Sequence, residues 1–352
     1  MFNARDEFNF TKIYTLIMKT VAIILLGDYY KDARSINLSN TIIEKGYSVA
    51  IISSSPRKSQ KKLNLYCIPD NRTGFRRYIN FYYKSKKILK KIRPNVVIAG
   101  DLFSLPAACN HGKSKVIYDS REIYSHLAIL KNSPIKQFVW TTIEKKYIYK
   151  ANQIVVTADI DRELLINFYG NLDIVVLKNF PPKRLQPFKG IDLKKRFNLP
   201  ANSKIFIYQG VLQKDRGIIS MIKLLKHFNF ANCVIIGDGN YKVEILNYIN
   251  KNKLASRVFF IDSVPYQELL GYTYSADIGF ALIKPVTQSY KNALPNKIFE
   301  YALSNIPFIA SDLPEIKKIT SKFDVGYSIP SEDSQKQIEF IKKNIFITKQ
   351  IN

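Results

Sequence analysis

Acidic side chains are scarce in this 352-residue chain: 28 Asp and Glu stand against 54 Lys and Arg, a formal excess of +26. Such a chain attracts polyanions, whether nucleotide phosphates, nucleic acid or an anionic membrane, and charge alone does not choose among them. Cysteine is scarcer still. Cys67, Cys109 and Cys233 are scattered with no CxxC pair, and Cys233 begins an apolar run, which argues against a disulfide framework or a zinc site and for a reducing compartment. Long hydrophobic runs are absent. The apolar stretch 21–27 is far below the roughly 20 residues that a bilayer-spanning helix needs, and no small-residue cleavage site follows a longer apolar core. It reads as a first buried strand. The basic residues lie in helical patterns with no nucleic-acid recognition motif, so nucleic acid is not an expected partner.

What is present is enough apolar chain, 46%, to build two cores of ordinary domain size. Residues 1–180 carry 29 basic and 14 acidic side chains, and the remainder 25 and 14, so neither half is a detached basic tail. The charge is densest from Arg57 to Arg93, where 13 Lys or Arg residues accompany one acid, Asp70. From Val21 onward, short apolar runs alternate with amphipathic segments of helix length, the pattern of βαβ units around a mostly parallel sheet. Strands are expected at 21–26, 48–53, 96–99, 115–118 and 153–157, then at 204–208, 231–236, 258–261, 278–281 and 307–310. A helix is expected over 75–92. Phe75, Ile79, Tyr82, Leu89 and Ile92 would face its core, and Arg76, Arg77, Lys86, Lys87, Lys90 and Lys91 would form a basic face, solvated or docked on anionic lipid.

The fold class is therefore α/β with two Rossmann-like domains. Residues 1–17 read as an N-terminal extension, 18–180 as the first domain, 181–203 as a Pro- and Lys-rich linker and 204–330 as the second domain; a helix within 331–352 would cross back onto the first.

The most informative segment is Ala293-Leu-Pro-Asn-Lys-Ile-Phe-Glu-Tyr301. Pro295 suits a helix start, leaving the N–H groups of Asn296, Lys297 and Ile298 directed outward, an arrangement that binds phosphate. Lys297 adds charge, and Glu300 one turn on could accept from two ribose hydroxyls. A glycine-bearing turn, Gly210-Val-Leu-Gln-Lys-Asp-Arg-Gly217, follows one strand, with Arg216 suited to diphosphate oxygens. Another, Gly237-Asp238-Gly239, follows the next and lacks the third glycine of the dinucleotide fingerprint. In the first half, Asp119, Arg121, Glu122 and His126 cluster after a strand, where α/β sheets place ligands. They would serve an acceptor or hold the loop as an internal salt-bridge set. His111 and His227 carry no assignment, and Asp159-Ile-Asp161 reads as helix capping rather than a metal motif.

Taken in order, Tyr208-Gln-Gly210 with Arg216-Gly217, Ile235-Ile-Gly-Asp-Gly239, Leu269 to Gly279, and Leu294 to Glu300 followed by Ile306 to Glu315 resemble the nucleotide-sugar-binding domain of family 4 glycosyltransferases, which share the GT-B fold. Asp32-Ala-Arg34, Gly46-Tyr-Ser-Val49 and Tyr118 to Tyr124 look like that family's acceptor-side elements. The resemblance covers about residues 20–330 and implies two domains facing across a cleft. It implies Glu300 on the ribose, Arg216 and Lys297 on the diphosphate, and Gly210 admitting the donor. Gly217, Asp238, Gly239, Pro295, Asn296 and Asn292 complete the donor side, and Asp32, Arg34, Asp119, Arg121, Glu122 and His126 form the acceptor side. Two departures stand out. The family's paired glutamates are spaced eight apart, and Asn292 occupies the first position here; Val211 stands where a basic residue usually follows Gly210.

The implied chemistry is retaining transfer from a UDP- or GDP-type sugar to a glycan or lipid-linked acceptor, with the departing diphosphate stabilised electrostatically, no metal and no other cofactor. The implied setting is bacterial surface-polysaccharide assembly, in the cytoplasm or peripheral on the inner face of the cytoplasmic membrane. A GT-B epimerase and a non-catalytic sugar-nucleotide-binding protein or partner subunit are the alternatives.

Overall fold

A computed structural model describes residues 19–55, 64–124, 133–180, 190–323 and 325–344. The described residues form two compact units, the first holding those up to 124 and from 133 to 178, the second those from 179 onward. The expected extension 1–17 lies outside the described residues.

The first unit is built on a seven-stranded sheet in the order β3-β2-β1-β4-β5-β6-β7. Its strands are β1 (Thr20–Leu25), β2 (Ser48–Ser53), β3 (Leu65–Cys67), β4 (Val96–Ala99), β5 (Lys115–Ser120), β6 (Gln153–Val156) and β7 (Ile174–Val176). The second unit carries six strands in the order β10-β9-β8-β11-β12-β13. These are β8 (Lys204–Gln209), β9 (Ala231–Ile236), β10 (Val258–Ile261), β11 (Ile278–Ala281), β12 (Phe308–Ser311) and β13 (Tyr327–Ile329). Neighbouring strands run parallel throughout. Helices cover both faces of such sheets, which is why β9, β11 and β12 are buried at every position and read as largely apolar runs. The edge strands β3, β7 and β13 were not expected; three residues each are too few to show a pattern.

The strand order places the ligand-binding positions. In each sheet the connections reverse direction once, between β1 and β4 in the first unit and between β8 and β11 in the second. Crevices open at the carboxyl ends of strands at such switch points. Gly210 follows β8 directly, and Asp101 lies just beyond β4.

Two boundaries and one helix face differ from expectation. The linker is shorter than 181–203: helix α6 (Leu193–Arg196) belongs to the second unit, with Leu193 fully buried in its core against Ile205 and Ile207. The C-terminal helix α13 (Ser334–Asn344) does not join the first unit, because Ile338, Phe340 and Ile341 are core residues of the second. Helix α2 (Phe75–Ile92) has the expected bounds and a rotated face: Phe81, Ser85 and Leu89 are buried, whereas Phe75 and Ile79 are 60% and 43% exposed. Helix α5 (Asp159–Tyr169) is capped at Ala158 without a side-chain bond; Asp159 and Asp161 lie in its first turn, where carboxylates favour the positive helix end.

Candidate functional site

Four segments of the second unit converge at the β8–β11 switch point. Gln209 ends β8 and the chain turns at Gly210, whose φ of +116° strains any residue bearing a Cβ. A Cβ there would lie 3.8 Å from Lys297 Nζ, so the loop backbone faces the lysine. The next loop nests beneath it: the Gly210 N–H donates to the Ile236 carbonyl over 2.9 Å, and a Cβ on Gly237 would come within 2.0 Å of the Gly210 carbonyl oxygen. Gly239 and Gly217 are likewise occupied by packing, against the carbonyls of Leu212 and Leu282. The Asp238 carboxylate accepts from the Gly239 N–H and is exposed.

Helix α11 (Asn296–Leu303) brings up the charged groups. Pro295 is its N-cap rather than its first residue, and Ile298 N–H turns back to the Pro295 carbonyl, so Asn296 and Lys297 are left to supply outward N–H groups. Lys297 Nζ lies 3.4 Å from the centroid of the Tyr208 ring, and the Arg216 guanidinium 4.5 Å from that of Tyr290. Each cation is thus held over a π-face. Burial, then the charge of Arg216, drives the Lys297 ammonium well below its usual pKa, with Glu300 opposing in part. Glu300 is raised by burial, against the Gln209 hydrogen bond and the Lys297 charge. Thr273 donates to the Gln209 side-chain oxygen over 2.7 Å and the Gln209 amide donates to Glu300, a relay that fixes the carboxylate. One N–H leaves a carboxylate room for further donors. Asn292 is 4% exposed; its oxygen accepts from Gln288 and its amide nitrogen has no partner among the described residues.

The first unit brings four of its six candidates into one buried ion network. Asp119 accepts from Arg34 at 2.7 to 3.0 Å and from Arg121 at 2.9 Å; Arg121 also reaches Asp32 at 2.6 Å and the Ser35 hydroxyl. Asp32 additionally caps helix α1 (Ala33–Glu44) through the Ser35 N–H. Burial alone would raise Asp119, but the Arg34 hydrogen bonds and the two guanidinium charges overcome it and hold the carboxyl below its usual range. Asp101 is raised by burial despite accepting from the Leu26 and Ser104 N–H groups. These groups satisfy one another and tie the loop after β5 to the start of α1. Glu122 is exposed, and His126 lies outside the described residues.

Sequence reasoning did not single out Gln209, Thr273, Tyr208 and Tyr290 as parts of the cluster around Lys297 and Glu300. Position offered one signal: Tyr208 and Gln209 end the strand at the switch point. Thr273 and Tyr290 enter from helices α9 (Tyr266–Tyr274) and α10 (Gln288–Lys291), far off in sequence.

Residues 191–345 match the family described as Glycosyl transferases group 1. The uncharacterized glycosyltransferase MJ1059 of Methanocaldococcus jannaschii is 24% identical over 277 residues, 70% of this chain, which itself spans 64% of that relative's length. Sucrose-phosphate synthase from Thermosynechococcus elongatus superposes with a TM-score of 0.72 at 15% identity, over 92% of this chain and 89% of its own. Anabaena HepE, solved with UDP-glucose, gives 0.70 at 13% identity, over 93% and 90%. At these identities the structural likeness concerns the fold. The chain accordingly has the GT-B fold, and its residues 191–345 match the glycosyl transferases group 1 family.

Proposed function

We propose that this protein transfers a sugar from a UDP- or GDP-type donor to a glycan or lipid-linked acceptor with retention of anomeric configuration. One observation carries the reading: two ring-mounted cations, Arg216 and Lys297, stand with the buried Glu300 around the Gly210 turn at a sheet switch point. Glu300 would take the ribose hydroxyls, and Lys297, Arg216 and the first N–H groups of α11 the diphosphate. A departing diphosphate gains charge as the glycosidic bond breaks, and donors fixed beforehand stabilise it without reorganising. No protein nucleophile or metal is assigned; a diphosphate oxygen takes the acceptor's proton. The UDP-glucose bound by HepE supports a nucleotide-sugar donor. The setting we infer is surface-polysaccharide synthesis, including lipopolysaccharide, at the inner face of the cytoplasmic membrane. Among the described residues no helix is long and apolar enough to cross a membrane.

The test is turnover of UDP- and GDP-sugars with and without a membrane lipid extract, reading nucleoside diphosphate release and the product's anomeric configuration by NMR. Acceptor-dependent release with retention supports the proposal. Donor isomerisation without acceptor would identify an epimerase. Binding without turnover would favour a non-catalytic role, the reading suggested by the exposed Val211 and by Asn292 at the position of a glutamate.

A further inference from the structure

Helix α2 carries seven basic residues and no acid. Its rotated face exposes Phe75, Ile79 and Tyr83 at 60%, 43% and 65%, one turn apart, followed along the same side by Lys87 and Lys90, with Arg76, Lys84 and Lys91 flanking. Beside it runs helix α4 (Pro134–Ile148). Tyr78 packs edge-on against Trp140 at 4.8 Å, and the Asn110 amide reaches both Tyr82 and Tyr147 hydroxyls. Those two pairings tie the helices together in the same direction, with the short helix Leu105–Cys109 packed against both. Ile135 and Phe138, 79% and 73% exposed in the first turns of α4, add apolar side chains at the corresponding end, with Lys136, Lys145 and Lys146 exposed on the same helix. The acid of α4, Glu144, is fully buried on the Tyr118 and Tyr169 hydroxyls and contributes no surface charge.

We propose that this two-helix face of the first unit docks on an anionic lipid surface, with Phe75, Ile79, Ile135 and Phe138 entering the acyl boundary and the lysines of α2 and α4 meeting the headgroup phosphates. The combination decides the occupant. A polynucleotide would use the lysines and leave the exposed phenyl rings in water, whereas aromatic tips within a basic field fit a membrane interface on both counts. Sequence periodicity had turned Phe75 and Ile79 inward; their exposure is what distinguishes this face from a merely solvated basic helix. The docking face stands on the first unit alone and does not depend on the donor chemistry.

The full chain is tested by co-sedimentation with vesicles of phosphatidylcholine alone and with one-third phosphatidylglycerol. Trp140, the single tryptophan, joins α4 to α2 through Tyr78 and reports on the two helices by fluorescence. Binding to the anionic vesicles with a change in Trp140 emission is expected. Lys84→Glu with Lys87→Glu should reduce partitioning by about tenfold or more, and Phe75→Ser with Phe138→Ser should weaken the binding that survives raised salt. All four side chains are exposed, so the unfolding midpoints should match the parent. Equal partitioning onto neutral and anionic vesicles, or binding unchanged in both variants, would overturn the proposal. Duplex binding or self-association abolished by these substitutions while vesicle binding is absent would also overturn it, assigning the face to nucleic acid or to a second copy.

Discussion

Replacing Lys297 by Met removes a buried ammonium from beneath the Gly210 loop while keeping most of the stem's volume. The wild-type ammonium carries a desolvation penalty, seen in a pKa well below the ordinary lysine value, with burial the largest cause and Arg216 second. The sign follows. A lysine whose folded pKa is depressed costs stability that sets in as pH falls through the unfolded pKa and is fully present below the folded one. Met removes that cost, so the unfolding midpoint at neutral pH should hold or rise, by about 2–4 °C for each kcal/mol relieved in a domain of this size. Donor binding should move the other way. Losing a charge-assisted hydrogen bond to diphosphate costs about 1.5–3 kcal/mol, or roughly tenfold to a hundredfold in Kd. Where Lys297 is neutral in the free protein and charged in the complex, binding should take up to about one proton and strengthen by up to about one decade for each pH unit lowered. A nucleotide sugar is the right ligand, since its diphosphate diester does not titrate near neutrality. Calorimetric titration in two buffers of different ionisation enthalpy reads the proton count, and the Met variant should lose the uptake. A variant that melts earlier and binds as tightly as the parent would refute the reasoning.

Three further substitutions address the scaffold. Asp119→Asn leaves the Arg34 and Arg121 guanidiniums buried without their shared carboxylate and should cost about 3–5 kcal/mol. Because the Asp119 pKa is depressed, this contribution is present above the ordinary carboxylate pKa and lost as pH falls through the folded value; calorimetry across acid pH should show parent and variant converging. Gly237→Ala forces a Cβ to within 2.0 Å of the Gly210 carbonyl at a φ of +138° and should cost about 2–4 kcal/mol while weakening nucleotide binding. Gly46→Ala, at φ +83° with nothing within 4 Å, should cost only about 1 kcal/mol and leave binding unchanged. Equal losses in both alanine variants, read by thermal unfolding, would contradict the nested-loop account.

Strands longer than three residues were legible because both sheet faces are buried, so each appears as a largely apolar run such as Ile278–Ala281. The cations proposed to meet the diphosphate were legible because turn glycines and a helix-start proline mark the backbone around Arg216 and Lys297. What sequence could not show is mutual satisfaction. The bond from Gln209 to Glu300 and the rings beneath Lys297 and Arg216 join segments up to 91 residues apart. Asp119 and Arg121 stood by position for a ligand or an internal salt-bridge set, and Asp32 and Arg34 for an acceptor by resemblance; folding pairs all four with one another. The face of α2 was misjudged because it contains two apolar stripes, and only packing against Trp140 and Asn110 decides which is inward.

The central claim, a nucleoside-diphosphate site on the second unit, is tested most directly by calorimetric titration of UDP, GDP, ADP and their sugars into the wild type, Glu300→Ala and Lys297→Ala. The account predicts saturable one-to-one binding of one base series, lost or weakened by at least about tenfold in both variants. Absence of binding by every nucleotide, or binding untouched by both substitutions, would contradict it.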